Sequence, residues 1–232
     1  MTDAALRPRH RLYGRATGKP LSQRQTRLVA DLGPKLAVPE AGERALDPAS
    51  LFSPPCAEVW LEIGFGGGEH LAGQAACHPQ TGFIGAEPFI DGVAKLLTAI
   101  EEQALSNIRI RRGDARDLIA SLADASLARI FILFPDPWPK TRHAKRRLIQ
   151  PGVVAELARC LKPGGRMRFA TDWADYANRA LADILADGRF DWQARSADDW
   201  RIPPADHVTT RYQEKRLGDC APVFFDFVRR GD

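Results

Sequence analysis

The feature that most restricts the fold is a regular alternation along residues 58–186. Strand-like apolar segments at 59–63, 82–86, 108–112, 129–134 and 166–171 are separated by helix-like stretches at 69–77, 90–103, 115–122, 152–161 and 174–186. Parallel strands need a long crossover, usually a helix, so this order predicts an α/β domain with a mostly parallel sheet covered on both faces. Lys162, Pro163, Gly164 and Gly165 predict a helix stop and a turn into the fifth strand. Beyond residue 186 the alternation stops. Residues 190–195 and 223–229 read as strands with no convincing crossover helix between them, which predicts an antiparallel pair closing the sheet edge.

A length of 232 residues suits one such domain, over 28–232, behind a basic arm at 1–27 that reads as extended or partly disordered. No apolar run approaches membrane-spanning length, and the N-terminus is basic and polar, unlike a secretory signal; a soluble cytoplasmic protein is expected. Cys56, Cys77, Cys160 and Cys220 are far apart and predict reduced thiols. No His/Cys/carboxylate group has ligand spacing, so no metal is expected. Either a monomer or a homodimer is compatible with the chain.

Charge is unevenly placed. Residues 1–27 hold seven Arg/Lys against Asp3, or +6; the chain is +4, so the rest carries −2. Within that acidic remainder Lys140, Arg142, Lys145, Arg146 and Arg147 fall in eight residues without an acid. Local basic charge of this kind marks a nucleic-acid footprint; a solubilising tail and a polar helix face are the alternative. The basic cluster directly follows an apolar strand-like run, Ile130 to Phe134, and the turn Pro135-Asp136-Pro137-Trp138. A carboxylate and a ring at a strand end beside a phosphate-attracting surface suit chemistry on a nucleobase. Trp138 either stacks on the base or packs under the turn.

The first strand runs into Gly64, Phe65, Gly66, Gly67 and Gly68, whose backbone can turn tightly and approach a ligand closely. Glu69 stands where a dinucleotide motif has its third glycine, which disfavours pyrophosphate. Glu62, Glu87 and Asp114 end three successive strands and so line one edge of an open sheet. Together they suit a ligand with a ribose, an adenine and positive charge but no phosphate, as S-adenosylmethionine has. Taken singly, Glu62 could cap the loop, Glu87 could be a turn residue and Asp114 could N-cap the next helix.

The series LEIGFGGGEHL, FIGAEPF, GDARDL, FPDPWPKTRHAKRR, ATDWADY and TTRYQEKR, in this order and spacing, resembles the bacterial tRNA (guanine-N7)-methyltransferase family over roughly Glu58 to the C-terminus. The resemblance implies a Rossmann-like S-adenosylmethionine methyltransferase fold and methylation of the variable-loop guanine, position 46 of tRNA. By matching position it implies cofactor contacts at Glu62, Glu87, Asp114 and Asp136, with Asp136 also the active-site residue, beside the loop of Gly64 and Gly66. Substrate contacts are implied at Lys140, Asp172, Thr210, Arg211, Tyr212 and Gln213, and RNA contacts along Arg142, His143, Lys145, Arg146 and Arg147. One departure is Gln213, where the family has Glu: its amide hydrogen-bonds but brings no charge, and Glu214 follows.

Guanine N7 carries no proton, so methyl transfer needs placement rather than a general base, and a carboxylate can stabilise the ring as it becomes cationic. His143 is then a phosphate or backbone contact rather than a base. Asp172 serves the substrate, N-caps the following helix, or does both. Three other readings stay open at this level: an NAD-dependent oxidoreductase, a non-catalytic RNA-binding subunit, and a methyltransferase for protein, small molecules or another RNA.

Overall fold

The computed structural model describes residues 18, 20–40 and 45–231. The strands are β1 Val59–Ile63, β2 Gly82–Ala86, β3 Ile108–Arg111, β4 Leu127–Leu133, β5 Leu161–Thr171, β6 Phe190–Trp192 and β7 Val223–Arg229. They form one sheet of order β3-β2-β1-β4-β5-β7-β6. The first five run parallel, and β7 is antiparallel to both β5 and β6. The helices are α1 Gln23–Asp31, α2 Gly33–Leu36, α3 Glu69–Cys77, α4 Ile90–Gln103, α5 Ala115–Ser121, α6 Pro151–Cys160, α7 Ala174–Ala186, α8 Asp198–Arg201 and α9 Arg211–Glu214.

Both faces of the sheet are covered, as the unbroken apolar strands require. Val59, Leu61, Ile63, Ile130 and Ile132 point to one side and pack with Leu118, Val154, Leu157, Ala180 and Ile184 from α5, α6 and α7. Phe83, Ile108 and Ile110 pack on the other side with Leu28, Leu71, Leu96 and Leu97 from α1, α3 and α4. A third cluster, Phe131, Leu133, Phe134, Ala170 and Phe224, lies over β4, β5 and β7 and receives Tyr212 of α9. It is this cluster that seats the short C-terminal helix beside the strand ends.

Three expectations are modified. The stop at Lys162–Gly165 lies inside β5: Leu127 pairs with Leu161 and Arg129 with Arg166, so the intervening residues loop out of register, with Gly164 at φ +77°. The terminal antiparallel pair exists, but β7 lies inside it against β5, and the second strand ends at Trp192 because α8 and α9 occupy the connection. For the arm over 1–27 the expectation is an extended or partly disordered segment. Residues 1–17 and 19 lie outside the described residues, whereas Gln23 to Arg27 open α1. Ser22 and Gln25 form a reciprocal cap there. Arg24 bonds Glu101 and Glu102 of α4, Arg27 bonds Glu101, and Leu28 is buried. Two of the arm's basic residues are therefore spent on the domain's own acids.

Candidate active site

The C-terminal ends of β1 to β4 open into a cleft of about 640 Å³ bounded by the glycine loop, the Pro-Asp-Pro turn and α9. Gly64, Gly66 and Gly68 have φ of +72°, +54° and +81°, a backbone that only glycine adopts without strain. The loop is laced to its neighbours through main-chain groups. The Gly66 N–H donates to Glu87 Oε2 (2.9 Å), and the Phe89 N–H donates to Glu87 Oε1 (2.9 Å). Gly92, in the first turn of α4, completes the contact, since a Cβ there would lie 2.2 Å from the Gly66 carbonyl oxygen.

All three strand-end acids are buried and line the cleft, but each has a partner. Burial raises the Glu87 pKa; the two N–H bonds pull it back and the charge of Asp136 adds to the rise. Two accepted bonds leave lone pairs on that carboxylate for hydroxyl donors. Glu62 accepts from His70 Nδ1 on α3 (2.7 Å). Asp114 N-caps α5 by accepting the Arg116 N–H (2.9 Å) and also binds the Arg116 guanidinium. The N-cap alternative for Asp114 is thus what the backbone shows, with the carboxylate still at the cleft wall.

β4 ends in a tightly held turn. Phe134 and Trp138, on either side of Pro135-Asp136-Pro137, have φ of +52° and +43°. Non-glycine residues in this region cost about 1–3 kcal/mol each and persist only where the surroundings hold them. The Phe134 N–H is tied to the Ala170 carbonyl of β5 (2.8 Å). Asp136 stands at the cleft mouth with its side chain reachable from solvent, and burial by the neighbouring walls raises its pKa. Trp138 packs under the basic segment, with the Arg146 guanidinium 5.0 Å from its ring centre and His143 edge-on at 5.9 Å.

Thr141–Arg146 forms a 3-10 helix that sets the basic side chains around one short turn. Lys140, Arg142 and Lys145 are exposed, and Arg146 lines the cleft. Desolvation first, and then the surrounding cations Arg146, Arg142, Lys140 and Lys145, lower the His143 pKa, so it stays neutral rather than adding charge. Arg147 differs from its neighbours in the segment. Its side chain is buried, with Nε donating to the Pro137 carbonyl (2.7 Å) and Nη2 to Asp175 Oδ2 (2.5 Å).

Asp172 directly follows β5 and is buried. The cap of α7 is not its work, because the Ala174 N–H donates to Asp219 Oδ1 (2.8 Å). Asp172 Oδ1 instead accepts from the Tyr212 hydroxyl (3.3 Å), and the Tyr212 ring lies 5.6 Å from that of Phe134. In α9, Thr210 and Gln213 form a reciprocal cap: Gln213 Oε1 accepts the Thr210 N–H (3.1 Å) and also bonds His207 Nε2 (2.7 Å). An amide at the departing position makes this cap without charge. Arg211 pairs with Glu69 of α3 (3.3 Å) and links α9 to the glycine-loop wall.

The structure thus brings Glu62, Gly64, Gly66, Glu87, Asp114, Asp136, Arg146, Thr210, Arg211 and Tyr212 around one cleft. Asp172 stands behind Tyr212, Gln213 serves the cap, and Lys140, Arg142 and Lys145 lie outside the lining. Sequence reasoning did not single out His70, His207, Gly92 or Asp219, whose partners are all distant in the chain or hidden by the fold. Among the described residues no group of three or more His, Cys, Asp or Glu is placed to hold a metal ion, and no helix is long and apolar enough to cross a membrane.

A family model described as "Putative methyltransferase" matches residues 57–223. The chain is 56% identical over 219 residues to the tRNA (guanine-N(7)-)-methyltransferase of Caulobacter vibrioides, covering 94% of this chain and 95% of that protein. It is 54% identical over 217 residues to that of Hyphomonas neptunium, covering 94% and 98%. Among solved structures, the 16S rRNA (adenine(1408)-N(1))-methyltransferase from Catenulisporales acidiphilia shares the fold at a TM-score of 0.55 and 15% identity, over 84% of this chain and 98% of that one. With an acid-lined strand-end cleft beside a basic turn already in place, these matches show that the chain belongs to the tRNA (guanine-N7)-methyltransferase family, on the fold of S-adenosylmethionine-dependent methyltransferases.

Proposed function

We propose that this chain methylates N7 of the variable-loop guanine, position 46, of tRNA in the cytoplasm. One observation carries the reading: Asp136 stands where the acid-lined cleft meets the exposed basic turn, on a backbone held in a strained conformation. The donor set fits S-adenosylmethionine. The cleft offers carboxylates to hydroxyl and amine donors and a glycine loop open to close approach. An acid, Glu69, stands where a pyrophosphate would need positive charge. Bound there, the cofactor supplies a methyl group activated on a sulfonium.

The protein's own part is placement and charge. Glu87, fixed by the Gly66 and Phe89 N–H groups, accepts ribose hydroxyls, and Asp114 borders the adenine. Asp136 accepts the N–H groups of guanine and stabilises the positive charge that develops on the ring, and Asp172, behind the cleft wall, orients Tyr212 towards the same substrate. Lys140, Arg142 and Lys145 hold phosphates, and Arg146 lies between them and the cleft. No residue need remove a proton, consistent with a neutral His143 edge-on to Trp138.

The test is transfer of labelled methyl to unmodified tRNA, mapped by cleavage at 7-methylguanine. We expect label at one variable-loop guanine, reduced about 10²–10³-fold in Asp136→Ala, the range for losing an electrostatic group at the reacting centre. Label elsewhere, or none in tRNA despite cofactor binding, would sink this reading.

A further inference from the structure

Lys140, Arg142 and Lys145 face solvent and Arg146 faces the cleft, whereas Arg147 is only 6% exposed and absent from the cleft wall. Its guanidinium spans two turns. Nε donates to the carbonyl of Pro137, the residue after Asp136. Nη2 donates to Asp175, in the first turn of α7, three residues beyond Asp172. The guanidinium carbon also lies 4.9 Å from the ring centre of the fully buried Tyr176, and the Tyr176 hydroxyl accepts the Ile149 N–H (3.2 Å). The chain leaving the basic segment is therefore pinned at Arg147 and again at Ile149.

We propose that Arg147 is a positioning residue: it braces the Pro137 turn against α7 and so fixes the separation of Asp136 and Asp172. This rests on the reading that those two acids serve the methyl-transfer site. The physical case has three parts. A turn with Phe134 and Trp138 at positive φ relaxes unless something outside it holds it, and the Pro137 carbonyl is held by Arg147. A planar guanidinium can bond a carbonyl and a carboxylate at once while stacking on a ring, whereas a lysine ammonium lacks the fork and the flat face. A buried guanidinium with Nε and Nη2 engaged reaches a phosphate only by breaking the brace.

The experiment compares wild type, Arg147→Lys and Asp175→Asn, with Arg142→Ala as the phosphate-contact control. It reads the single-turnover rate at saturating unmodified tRNA, tRNA affinity against salt, and amide exchange across residues 134–138. In Arg147→Lys, which keeps the charge, we expect the rate to fall about 10-fold or more, as for a misplaced reacting group. Amide exchange at 134–138 should quicken while the salt slope stays as in wild type. Asp175→Asn should change rate and exchange in the same direction but less, and it is the variant read if Arg147→Lys fails to fold. A salt slope shallower by about 0.7–0.9 in Arg147→Lys, with rate and exchange unchanged, would overturn the proposal and make Arg147 a phosphate contact. If wild type itself does not methylate tRNA, the proposed function falls. The brace is then judged by exchange alone: quickening supports it, and unchanged exchange in both variants overturns it.

Discussion

The two walls of the cleft are held by different forces. The wall at the ends of β1 to β3 is laced largely through main-chain groups. Glu87 is fixed by two backbone N–H donors, Asp114 by the helix it caps, and the glycine loop by its approach to Gly92. The wall made by the Pro-Asp-Pro turn, the basic segment and α9 is held by long-range side-chain latches. These are Arg147 to Pro137 and Asp175, Arg211 to Glu69, Asp219 to the start of α7, and Asp206 to Arg129 and Arg168. Main-chain lacing suits a small cofactor that always presents the same atoms. Short elements held by ionic latches suit a large polyanion, whose docking must tolerate adjustment. Lys140, Arg142 and Lys145, the side chains proposed to meet phosphate, are exposed.

Substitutions that strike one wall should leave the signature of that wall. After Asp136→Ala, the largest effect is expected from Gly92→Ala. The new methyl would meet the Gly66 carbonyl, which is backbone and cannot swing away. Displacing the glycine loop should lower methyl transfer on the order of 10²-fold, with cofactor affinity by calorimetry falling alongside and tRNA affinity preserved. Unchanged cofactor affinity would break the idea of a rigid cofactor wall. A smaller effect is expected from Arg142→Ala or Lys145→Ala. Each should weaken tRNA binding several-fold at moderate salt and reduce the slope of log affinity against log salt by about 0.7–0.9, with cofactor affinity untouched. A wild-type slope would remove that residue from the phosphate contacts.

Acid separates the walls most finely. Burial sets the Glu87 pKa above its ordinary 4.5, so Glu87 protonates early as pH falls. Neutralising a buried charge favours the fold while weakening the acceptor proposed for cofactor hydroxyls. Asp206 behaves oppositely. Burial alone would raise its pKa, but the Arg168 and Arg129 guanidiniums outweigh burial and hold it at about 2. Its contribution to stability is therefore complete well above 3.8 and lost as pH falls from there towards 2. Cofactor affinity should decline at a pH where the melting temperature has not yet dropped. Asp206→Asn should remove part of the stability loss below about pH 4 seen in wild type. Coincident declines of affinity and stability would contradict the separation.

Much of this was legible in one dimension. The spans of β1, β2, α3, α4 and α7 follow from apolar period and turn residues, because period is a local property that survives folding. The edges that moved did so for tertiary reasons: β5 extends back to Leu161 because Leu127 is there to pair with it, and α1 consolidates around a cap and the acids of α4. In the site, the acids at strand ends were legible because a parallel sheet presents its strand ends together. What they bond to was not. The His70 partner of Glu62 and the Tyr212 partner of Asp172, the latter 40 residues away, leave no mark on local pattern.

By itself the sequence determined the strand and helix order, the acid-ended strands beside a glycine loop, the Pro-Asp-Pro-Trp turn with its basic run, and through them the chemistry this chain is suited to. Those features depend on composition and spacing within a few residues. Only the tertiary structure decided which of five neighbouring cations would stay exposed and which would turn inward. Lys140, Arg142 and Lys145 are exposed, Arg146 lies over Trp138, and Arg147 is drawn under the turn by a carbonyl, a carboxylate and an aromatic ring. The charges are alike along the chain, but Arg147 meets Asp175 and Tyr176 of α7, and a buried guanidinium goes where its donors find partners.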